Sequence, residues 1–481
     1  MKRQRKLFKL LALVFFGLFL ILTLYGGYSV VTYGNRWFSS SKNPRVRAQK
    51  ESVIAGDIYD RNGVLLATTD DNGNRVYQAN EEARRAVVHV LGDARGNVAN
   101  GVESFQTAYL YGFRASFGEL LRDFFVGEAR RGDNLFLTID SQLCTRMVQA
   151  YENHSTTAGR NGAAVVMNYL TGEILGEVSL PNFDPNDISG SVDVSAQPFW
   201  NRATQSVYPP GSTFKIITTS GVLKDLPGLA EEEFVCTGDL ELDGHTIHDY
   251  GNAVHGKLDL KEAFSVSCNN VYAEIAVNLT DARLRQMAEN FGFNDNFLFR
   301  DLVVENSSYP ARNGRSDYEV GASGFGQSSI AASPMHMCMV AAAIGAEGVM
   351  QEPILLREVQ APSGDTRMVW DSRVYRKVIE PDIAHSVEDY MRYAVTSGTG
   401  SRAGTRSMII CGKTGTAEST LKGQPVNYGW FVGFSEDKSL PFAVSVLVED
   451  IADGQGGGST AAPIAKEIFE YVMNHSEQVL N

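Results

Sequence analysis

The first 31 residues of the chain divide into a basic stretch and a long apolar one. Lys and Arg are frequent over residues 1–9, whereas residues 10–31 are apolar or small and carry no charge. An apolar helix of about 20 residues is long enough to cross a bilayer. Positive flanks stay in the cytoplasm, so this pattern puts residues 1–9 inside and everything after Val31 outside. A signal peptide usually has a shorter core and a small-x-small cleavage site, so we expect an uncleaved anchor.

Shorter patterned segments over residues 32–150 predict a small mixed domain of strands and helices. Residues 57–59 and 64–67 form a strand pattern on either side of Asn62-Gly63, a pair that favours a tight hairpin. Residues 103–111 predict a short helix. Asp140 or Ser141 is a good N-cap for a further helix that reaches about Tyr151. Because nothing in this region indicates catalysis, we expect a spacer or docking domain.

Residues 151–481 show no linker-like composition and predict one larger domain. Two apolar runs, 162–167 and 174–179, flank a Thr-Gly turn and predict a hairpin. The rest of the pattern predicts a sheet core with a helical subdomain, an α/β (α+β) fold. The further elements that it predicts are helices at about 258–277, 334–344, 380–397 and 461–472 and strands at about 409–418, 430–434 and 442–449.

Charge and cysteine content narrow the possible functions. The net charge is −13 although residues 1–50 hold ten Lys and Arg and no acidic residue, so the remainder is strongly acidic. Such a body lacks the basic footprint that nucleic-acid binding needs. The five cysteines are scattered and odd in number, which indicates neither a disulfide framework nor a zinc site. His245, His248 and His255, even with Asp249, fit no standard ligand spacing, so we expect no metal.

The strongest chemical candidate is Ser212. Pro210 and Gly211 form a turn before a predicted helix over 212–220, in which Ser212 and Lys215 share the first turn. Free N–H groups and the helix dipole would then point at whatever Ser212 attacks. A lysine can remove a serine proton if burial or a nearby cation favours its neutral form. The alternative is that Ser212 is only an N-cap, and the chain holds three other Ser-x-x-Lys patterns.

Two further motifs follow along the chain. Ser267-Cys268-Asn269 interrupts the predicted helix over 258–277, either as a boundary between two helices or as a polar pair that points into a cleft. Cys268 is either a reactive thiol or, as we favour, a small buried side chain. Residues 413–416, Lys-Thr-Gly-Thr, place a cation and two hydroxyls on a predicted strand.

In this order, the three motifs resemble those of penicillin-binding proteins and serine β-lactamases. The segments around them, including 201–203, 208–212, 430–433 and 461–463, resemble the class B penicillin-binding proteins of the short type with a small N-terminal domain. The resemblance runs from about Val53 to the end. It implies a central antiparallel sheet flanked by helices, after a transmembrane helix and a pedestal-like domain. One departure is Ala55-Gly56, where the family often has Arg-Gly.

The resemblance also implies a catalytic set of four residues. Ser212 would attack the penultimate D-Ala of a peptidoglycan stem peptide ending in D-Ala-D-Ala, and Lys215 would accept its proton. Ser267 would relay that proton to the leaving amine. Lys413 would supply positive charge and keep Lys215 neutral. An amine of a neighbouring stem would then attack the acyl-enzyme.

The resemblance implies that four other residues bind the substrate: Asn269, Thr414, Gly415 and Thr416. Asn269 would hold the donor amide, the two threonine hydroxyls would bind the substrate carboxylate, and the N–H groups of Ser212 and Thr416 would form an oxyanion hole. No cofactor is implied, and penicillin and other β-lactams would acylate Ser212. The partner implied is a membrane glycosyltransferase of the shape, elongation, division and sporulation (SEDS) type.

Three alternatives share these motifs in whole or in part. They are a β-lactamase or β-lactam sensor, a D,D-carboxypeptidase that uses water as acceptor, and a non-enzymatic scaffold for a membrane glycosyltransferase. The intact motif set argues against a purely structural role. The sequence leaves open whether the protein serves elongation, division or sporulation, and which amine is the acceptor.

Overall fold

The apolar N-terminal stretch forms one long helix, α1 (Lys2–Phe38). Within it, Lys6–Val30 is long and apolar enough to cross a membrane. The computed structural model describes residues 2–38, 50, 52–115, 118–119, 125, 130–188, 193–312, 314–421 and 423–480. The sequence after the apolar stretch, residues 32–50, is polar and basic, and residues 39–49 of it lie outside the described ranges.

Beyond α1, the described residues form both helices and strands, which are interspersed along the chain. The helices are α2 (Glu81–Ala86), α3 (Val88–Leu91), α4 (Val102–Phe105), α5 (Thr107–Leu110), α6 (Ser141–Glu152), α7 (Lys215–Asp225), α8 (Leu260–Val266), α9 (Asn269–Leu279), α10 (Asp281–Asn290), α11 (Asp317–Gly324), α12 (Pro334–Gly345), α13 (Pro381–Thr396), α14 (Ala461–Asn474) and α15 (Ser476–Leu480). The strands are β1 (Ile58–Tyr59), β2 (Leu65–Thr69), β3 (Arg75–Tyr77), β4 (Asn134–Leu137), β5 (Gly162–Asn168), β6 (Ile174–Leu180), β7 (Phe234–Cys236), β8 (Asp239–Leu242), β9 (His245–His248), β10 (Gly256–Leu258), β11 (Val349–Gln351), β12 (Leu356–Gln360), β13 (Thr366–Val369), β14 (Val374–Lys377), β15 (Ile410–Leu421), β16 (Gln424–Ser435) and β17 (Phe442–Val448).

A six-stranded sheet in the order β13-β12-β4-β1-β2-β3 forms the smaller body. The predicted hairpin is present, because β1 pairs antiparallel with β2 around a turn in which Asp60 Oδ1 accepts two backbone N–H groups. Two short helices, α4 and α5, replace the single helix expected over residues 103–111. Two of its six strands, β12 and β13, come from far along the chain, and Val359 of β12 pairs with Leu135 of β4.

A fully antiparallel five-stranded sheet in the order β15-β16-β17-β5-β6 forms the core of the larger body. Strands β5, β6 and β17 are buried along their whole length, as a sheet covered on both faces requires. Helix α12 packs on β5, β16 and β17, and every one of its residues is buried. Helices α6 and α14 pack together against the same sheet, while α7 to α11 and α13 form the helical subdomain. The expected fold class is confirmed.

The two bodies share elements across residue 150, where the sequence suggested a boundary. Helix α6 begins at Ser141, yet it packs on β6 of the larger sheet. Asp140 caps this helix by accepting the N–H groups of Gln142 and Leu143, as its sequence predicts. The assignment of 32–150 and 151–481 to separate domains stays a prediction.

Candidate active site

A sharp turn beside strand β15 presents Ser212. Tyr208 pairs with Ala332 through two backbone hydrogen bonds of 2.9 Å, and the N–H of Gly211 donates to the carbonyl of Gly326 at 3.2 Å. The chain then makes a 3₁₀ turn, Gly211–Phe214, that continues directly into α7. With three residues per 3₁₀ turn, Ser212 and Lys215 lie on the same side of it.

Glycine is required at one position of this turn and at one position of the loop that is hydrogen-bonded to it. Gly211 has φ +53°, and a Cβ there would lie 2.6 Å from the carbonyl oxygen of Thr416. Gly326 has φ +79°, and its Cβ would lie 2.1 Å from the carbonyl oxygen of Gly211. Gly211 therefore lets the turn approach β15, and Gly326 lets its own loop approach Gly211, more closely than a side chain would allow.

Lys215 is buried beneath the turn, with no exposed surface. Its Nζ donates to the backbone oxygen of Ser267 at 2.6 Å and to Asn269 Oδ1 at 3.0 Å, and it lies 3.3 Å from Ser267 Oγ. It also lies 5.0 Å from the centre of the Tyr272 ring. Burial lowers the pKa of Lys215 to about 8.

Ser267 and Asn269 occupy the junction between α8 and α9. Ser267 ends α8 in the left-handed region, with φ 64° and ψ 36°, and Asn269 begins α9. Such a conformation costs a residue with a Cβ about 1–3 kcal/mol and tends to occur where function needs it. The junction is thus a helix boundary that also turns Ser267 and Asn269 toward Lys215. Cys268 between them is buried.

Lys413 approaches Ser267 from strand β15. Its Nζ donates to Ser267 Oγ and to the carbonyl oxygen of Thr414, each at 2.9 Å, and its side chain is fully buried. Burial lowers the pKa of Lys413 well below its ordinary value, and the cation of Lys215 lowers it further. The two amines therefore meet at one hydroxyl and resist carrying two positive charges at once.

A cavity of about 410 Å³ opens above these groups. Of the predicted residues, Ser212, Ser267, Asn269, Thr414 and Thr416 line it, whereas Lys215 and Lys413 lie behind it. Gly415 contributes backbone rather than a surface, since a Cβ there would lie 2.9 Å from the carbonyl oxygen of Pro210. The remaining lining residues are Asp249, Tyr250, His255, Val266, Thr399, Gly456, Gly458 and Ser459.

Several of these lining residues were missed from the sequence. The hydroxyl oxygen of Thr399 lies 2.6 Å from that of Thr414. From the sequence, residues 397–400 predict only the end of a helix. Tyr250 donates its hydroxyl to the carbonyl oxygen of Gln455 at 3.1 Å and so joins two loops at the cleft. The one signal for the second loop is the glycine run at 456–458.

Comparison with known proteins agrees with this geometry. The family model described as "Penicillin binding protein transpeptidase domain" matches residues 162–470. The peptidoglycan D,D-transpeptidase PbpA of Mycolicibacterium smegmatis is 30% identical over 452 residues, which cover 88% of this chain and 90% of the relative. The peptidoglycan D,D-transpeptidase MrdA of Acinetobacter baumannii is 30% identical over 71% of this chain and 54% of its own length.

Solved structures give the same answer. PBPA from Mycobacterium tuberculosis superposes with a TM-score of 0.79 at 28% identity, over 88% of this chain and all of that one. The penicillin G acyl-enzyme complex of penicillin-binding protein A from the same organism has a TM-score of 0.77, also at 28% identity and over the same shares of the two chains. The chain therefore belongs to the penicillin-binding protein transpeptidase family, as a class B penicillin-binding protein.

Proposed function

We propose that this protein is a peptidoglycan D,D-transpeptidase that cross-links stem peptides in cell-wall synthesis and is acylated by β-lactams. One observation carries the proposal: the side-chain amines of Lys215 and Lys413 both contact the hydroxyl of Ser267. Lys215 in turn lies one helical turn after Ser212. Relatives with the same domain are named peptidoglycan D,D-transpeptidases, and a structural neighbour is a penicillin G acyl-enzyme.

The first step is acylation of Ser212. Neutral Lys215 takes the proton of the Ser212 hydroxyl as Oγ attacks the carbonyl carbon of the penultimate D-Ala. The C–N bond to the terminal D-Ala then breaks, and its amine leaves with a proton that Ser267 relays from Lys215. Such proton transfer contributes about 10²–10⁴-fold to a rate. The contacts of Ser267 Oγ with both amines support this relay.

Charge and hydrogen bonds orient the donor peptide. The C-terminal carboxylate binds Thr414 and Thr416, and this anion favours the protonated form of Lys413 beside it. A charged Lys413 in turn favours neutral Lys215. Asn269 holds the donor amide, and the N–H groups of Ser212 and Thr416 receive the oxyanion, each donor contributing about 10²–10³-fold. In the second step, an acceptor amine attacks the acyl carbon, the C–O bond to Ser212 breaks, and the proton lost by the amine passes through Lys215 to Ser212 Oγ.

The basic and apolar N-terminus supports a further part of the proposal, that this reaction takes place at the outer surface of the membrane. Helix α1 is a single-pass anchor, with the basic residues before it in the cytoplasm. A class B protein carries no polymerase of its own, so a SEDS-type glycosyltransferase supplies the strands. Polymerase activity that is identical with and without this protein would count against that partnership.

To test this, the full chain is mixed with penicillin in detergent, and the mass of the intact protein is measured over several hours. We expect one stable adduct in the wild type and none in Ser212→Ala. Ser419→Ala is the matched control, because Ser419 belongs to another Ser-x-x-Lys pattern and lies outside the cavity, and it should retain the adduct. An adduct lost within seconds, with drug consumed, would indicate a β-lactamase, and no adduct on folded protein would indicate a scaffold.

Donor-peptide turnover separates the two remaining enzymatic outcomes. A synthetic stem peptide ending in D-Ala-D-Ala is incubated with and without an acceptor amine, and products are identified by mass. A transpeptidase forms the new amide in competition with water, whereas a carboxypeptidase gives only the shortened peptide.

A further inference from the structure

A second cavity, the Trp200 groove, borders the chain just before the turn that presents Ser212. Its volume is about 880 Å³, against about 410 Å³ for the active-site cavity. Parts of four segments line it, and these lie within residues 159–161, 195–208, 424–428 and 449–450. Among the described residues, the two cavities have no lining residue in common. The groove is therefore a separate concave surface, and the acyl transfer does not use it.

The indole of Trp200 is held at the surface of this groove. Trp200 is 49% exposed, although tryptophan is highly buried on average. Its Nε1 donates to Ser206 Oγ at 2.7 Å, and its backbone oxygen accepts from Ser179 Oγ at 3.2 Å. Val207 and Pro425, which are also exposed, line the same groove. An exposed apolar surface with polar groups around it is typical of a binding site.

A buried ion pair fixes the loop that carries Trp200. Arg202 Nε donates to Glu449 Oε1 at 3.0 Å, and its other nitrogens donate to the carbonyl oxygens of Ala196 at 3.1 Å and Gln197 at 3.2 Å. Because these contacts hold the loop before a ligand arrives, binding costs less conformational entropy than it would on a mobile loop.

The hydrogen-bonding groups of the groove suit a neutral ligand. Three side-chain amides line it, and each can both donate and accept a hydrogen bond: Asn161, Gln197 and Gln424. The charges of Arg202 and Glu449 neutralise each other in their ion pair, and Arg160 and Asp450 add one charge of each sign. An N-acetylated sugar fits this chemistry, because its hydroxyl and acetamido groups need such partners while the C–H face of its ring packs on an aromatic side chain.

The groove also lies within reach of the bond that Ser212 attacks. Tyr208 lines the groove and Ser212 lines the active-site cavity. Four residues of chain span at most about 14 Å, so the two cavities are no further apart than this where they are nearest. In a stem peptide, roughly four residues separate the sugar from the carbonyl of the penultimate D-Ala, and an extended stem has at least the same reach.

We propose that the Trp200 groove binds the glycan strand of peptidoglycan, at the N-acetylated amino sugar whose stem peptide reacts at Ser212. This inference rests on the proposed function, which brings such strands to this surface. One sugar ring packs on the indole of Trp200, and its acetamido and hydroxyl groups bond to the amides of Gln197 and Gln424. No bond forms or breaks in the groove, which holds the strand while its peptide reacts in the cleft.

The first measurement is the binding of a soluble probe, the β-1,4-linked tetramer of N-acetylglucosamine, to the full chain. The protein is kept in a detergent without a sugar headgroup, and binding is followed by saturation-transfer NMR of the probe. We expect a Kd below about 1 mM, with saturation of the N-acetyl methyl and ring C–H signals. Cellotetraose has the same linkage without acetamido groups and should bind about tenfold more weakly. Folded wild-type protein that does not bind the tetramer would overturn the proposal.

Substitutions in the groove assign the binding to it. Trp200→Ala should weaken binding of the tetramer by about tenfold or more, whereas Trp200→Phe keeps an aromatic face and should retain most of it. Gln424→Ala should weaken it by a smaller factor. Gln286→Ala is the matched control, because Gln286 is an exposed glutamine outside the groove, and it should bind as the wild type does. Unchanged binding in both Trp200→Ala and Gln424→Ala would overturn the proposal.

Two further results separate the groove from the catalytic function. Ser212→Ala and penicillin-acylated wild type should both bind the tetramer as the free wild type does, because the probe carries no peptide and Ser212 does not line the groove. Failure of the transpeptidase proposal would therefore leave the sugar result unchanged. Binding that acylation abolishes would put the sugar in the cleft and overturn the inference. A dimer that Trp200→Ala dissociates, with no binding of the tetramer, would instead assign the groove to a second copy of the chain.

Discussion

The pH dependence of acylation follows from the burial of Lys215. Only its neutral amine can take the proton of Ser212, and burial lowers its pKa to about 8 against the opposing charge of Asp249. The neutral fraction is then about one in ten at pH 7 and about one in a hundred at pH 6. For an exposed lysine with a pKa of about 10.4 it would be only about four in ten thousand at pH 7. We therefore expect acylation to rise about tenfold per unit up to pH 7 and to level off above about pH 8.5.

The assay is the second-order rate of acylation by a fluorescent penicillin between pH 6 and 9.5. Lys215→Met should lose about 10²–10⁴-fold above pH 8.5, where the wild-type lysine is neutral, and should lose the rise in rate between pH 6 and pH 8. Lys215→Arg should not rescue the rate, because a guanidinium stays charged. Lys224→Met is the matched control, since Lys224 lies on the same helix but is exposed, and it should keep the wild-type profile.

The same pKa predicts an effect on stability with a definite sign. The folded-state pKa of Lys215 lies below the unfolded value, so the unfolded chain binds the proton first as the pH falls. The free energy of unfolding therefore decreases as the pH falls from about 10.4 to 8, by roughly 3 kcal/mol, and this contribution is constant below pH 8.

An acylation rate that does not change from pH 6 to 9, in protein that stays folded, would refute the assignment of Lys215 as the proton acceptor.

Two substitutions test the packing around this site and away from it. Gly326→Ala should lower the acylation rate, and it should lower the free energy of unfolding by about 3 kcal/mol or more, because it adds a clash with Gly211 to the strain of a positive φ. The control Gly364→Ala has a similar φ but open space around it, so it should lower the free energy of unfolding by only about 1 kcal/mol. Arg75→Met leaves Glu103 buried without its ion-pair partner and should cost about 3–5 kcal/mol in thermal or denaturant unfolding, while the acylation rate of the folded fraction stays unchanged. A stable Arg75→Met protein would show that the pair contributes little.

Local patterns in the sequence predicted most elements of the larger body. The hairpin of β5 and β6 follows from two apolar runs around a Thr-Gly turn, and the start of α6 follows from the capping side chain of Asp140. The three motifs also predicted Ser212, Ser267 and Lys413 as site residues, and the structure brings all three to one place. Each of these signals is complete within a few neighbouring residues.

Features that depend on distant pairings were not predictable in this way. Strand β12 has the pattern of an ordinary strand, and nothing within it specifies Leu135 as the neighbour of Val359. Thr399 became part of the site only when the end of α13 came to lie against β15. A group of four side chains beside the cleft likewise comes from segments whose spacing carries no signal, because tertiary folding alone brings them together: Cys236, Asp249, His255 and Cys268.

The shared six-stranded sheet has a consequence for biogenesis. During synthesis β4 emerges long before β12, so one edge of its early sheet remains open until more than half of the larger body has been synthesised. Unpaired edges invite wrong pairing with other chains, and the unfinished protein therefore needs protection at that stage. It also means that the six-stranded sheet is not a detachable module, because a chimera that exchanges it between relatives must carry two separate stretches of chain.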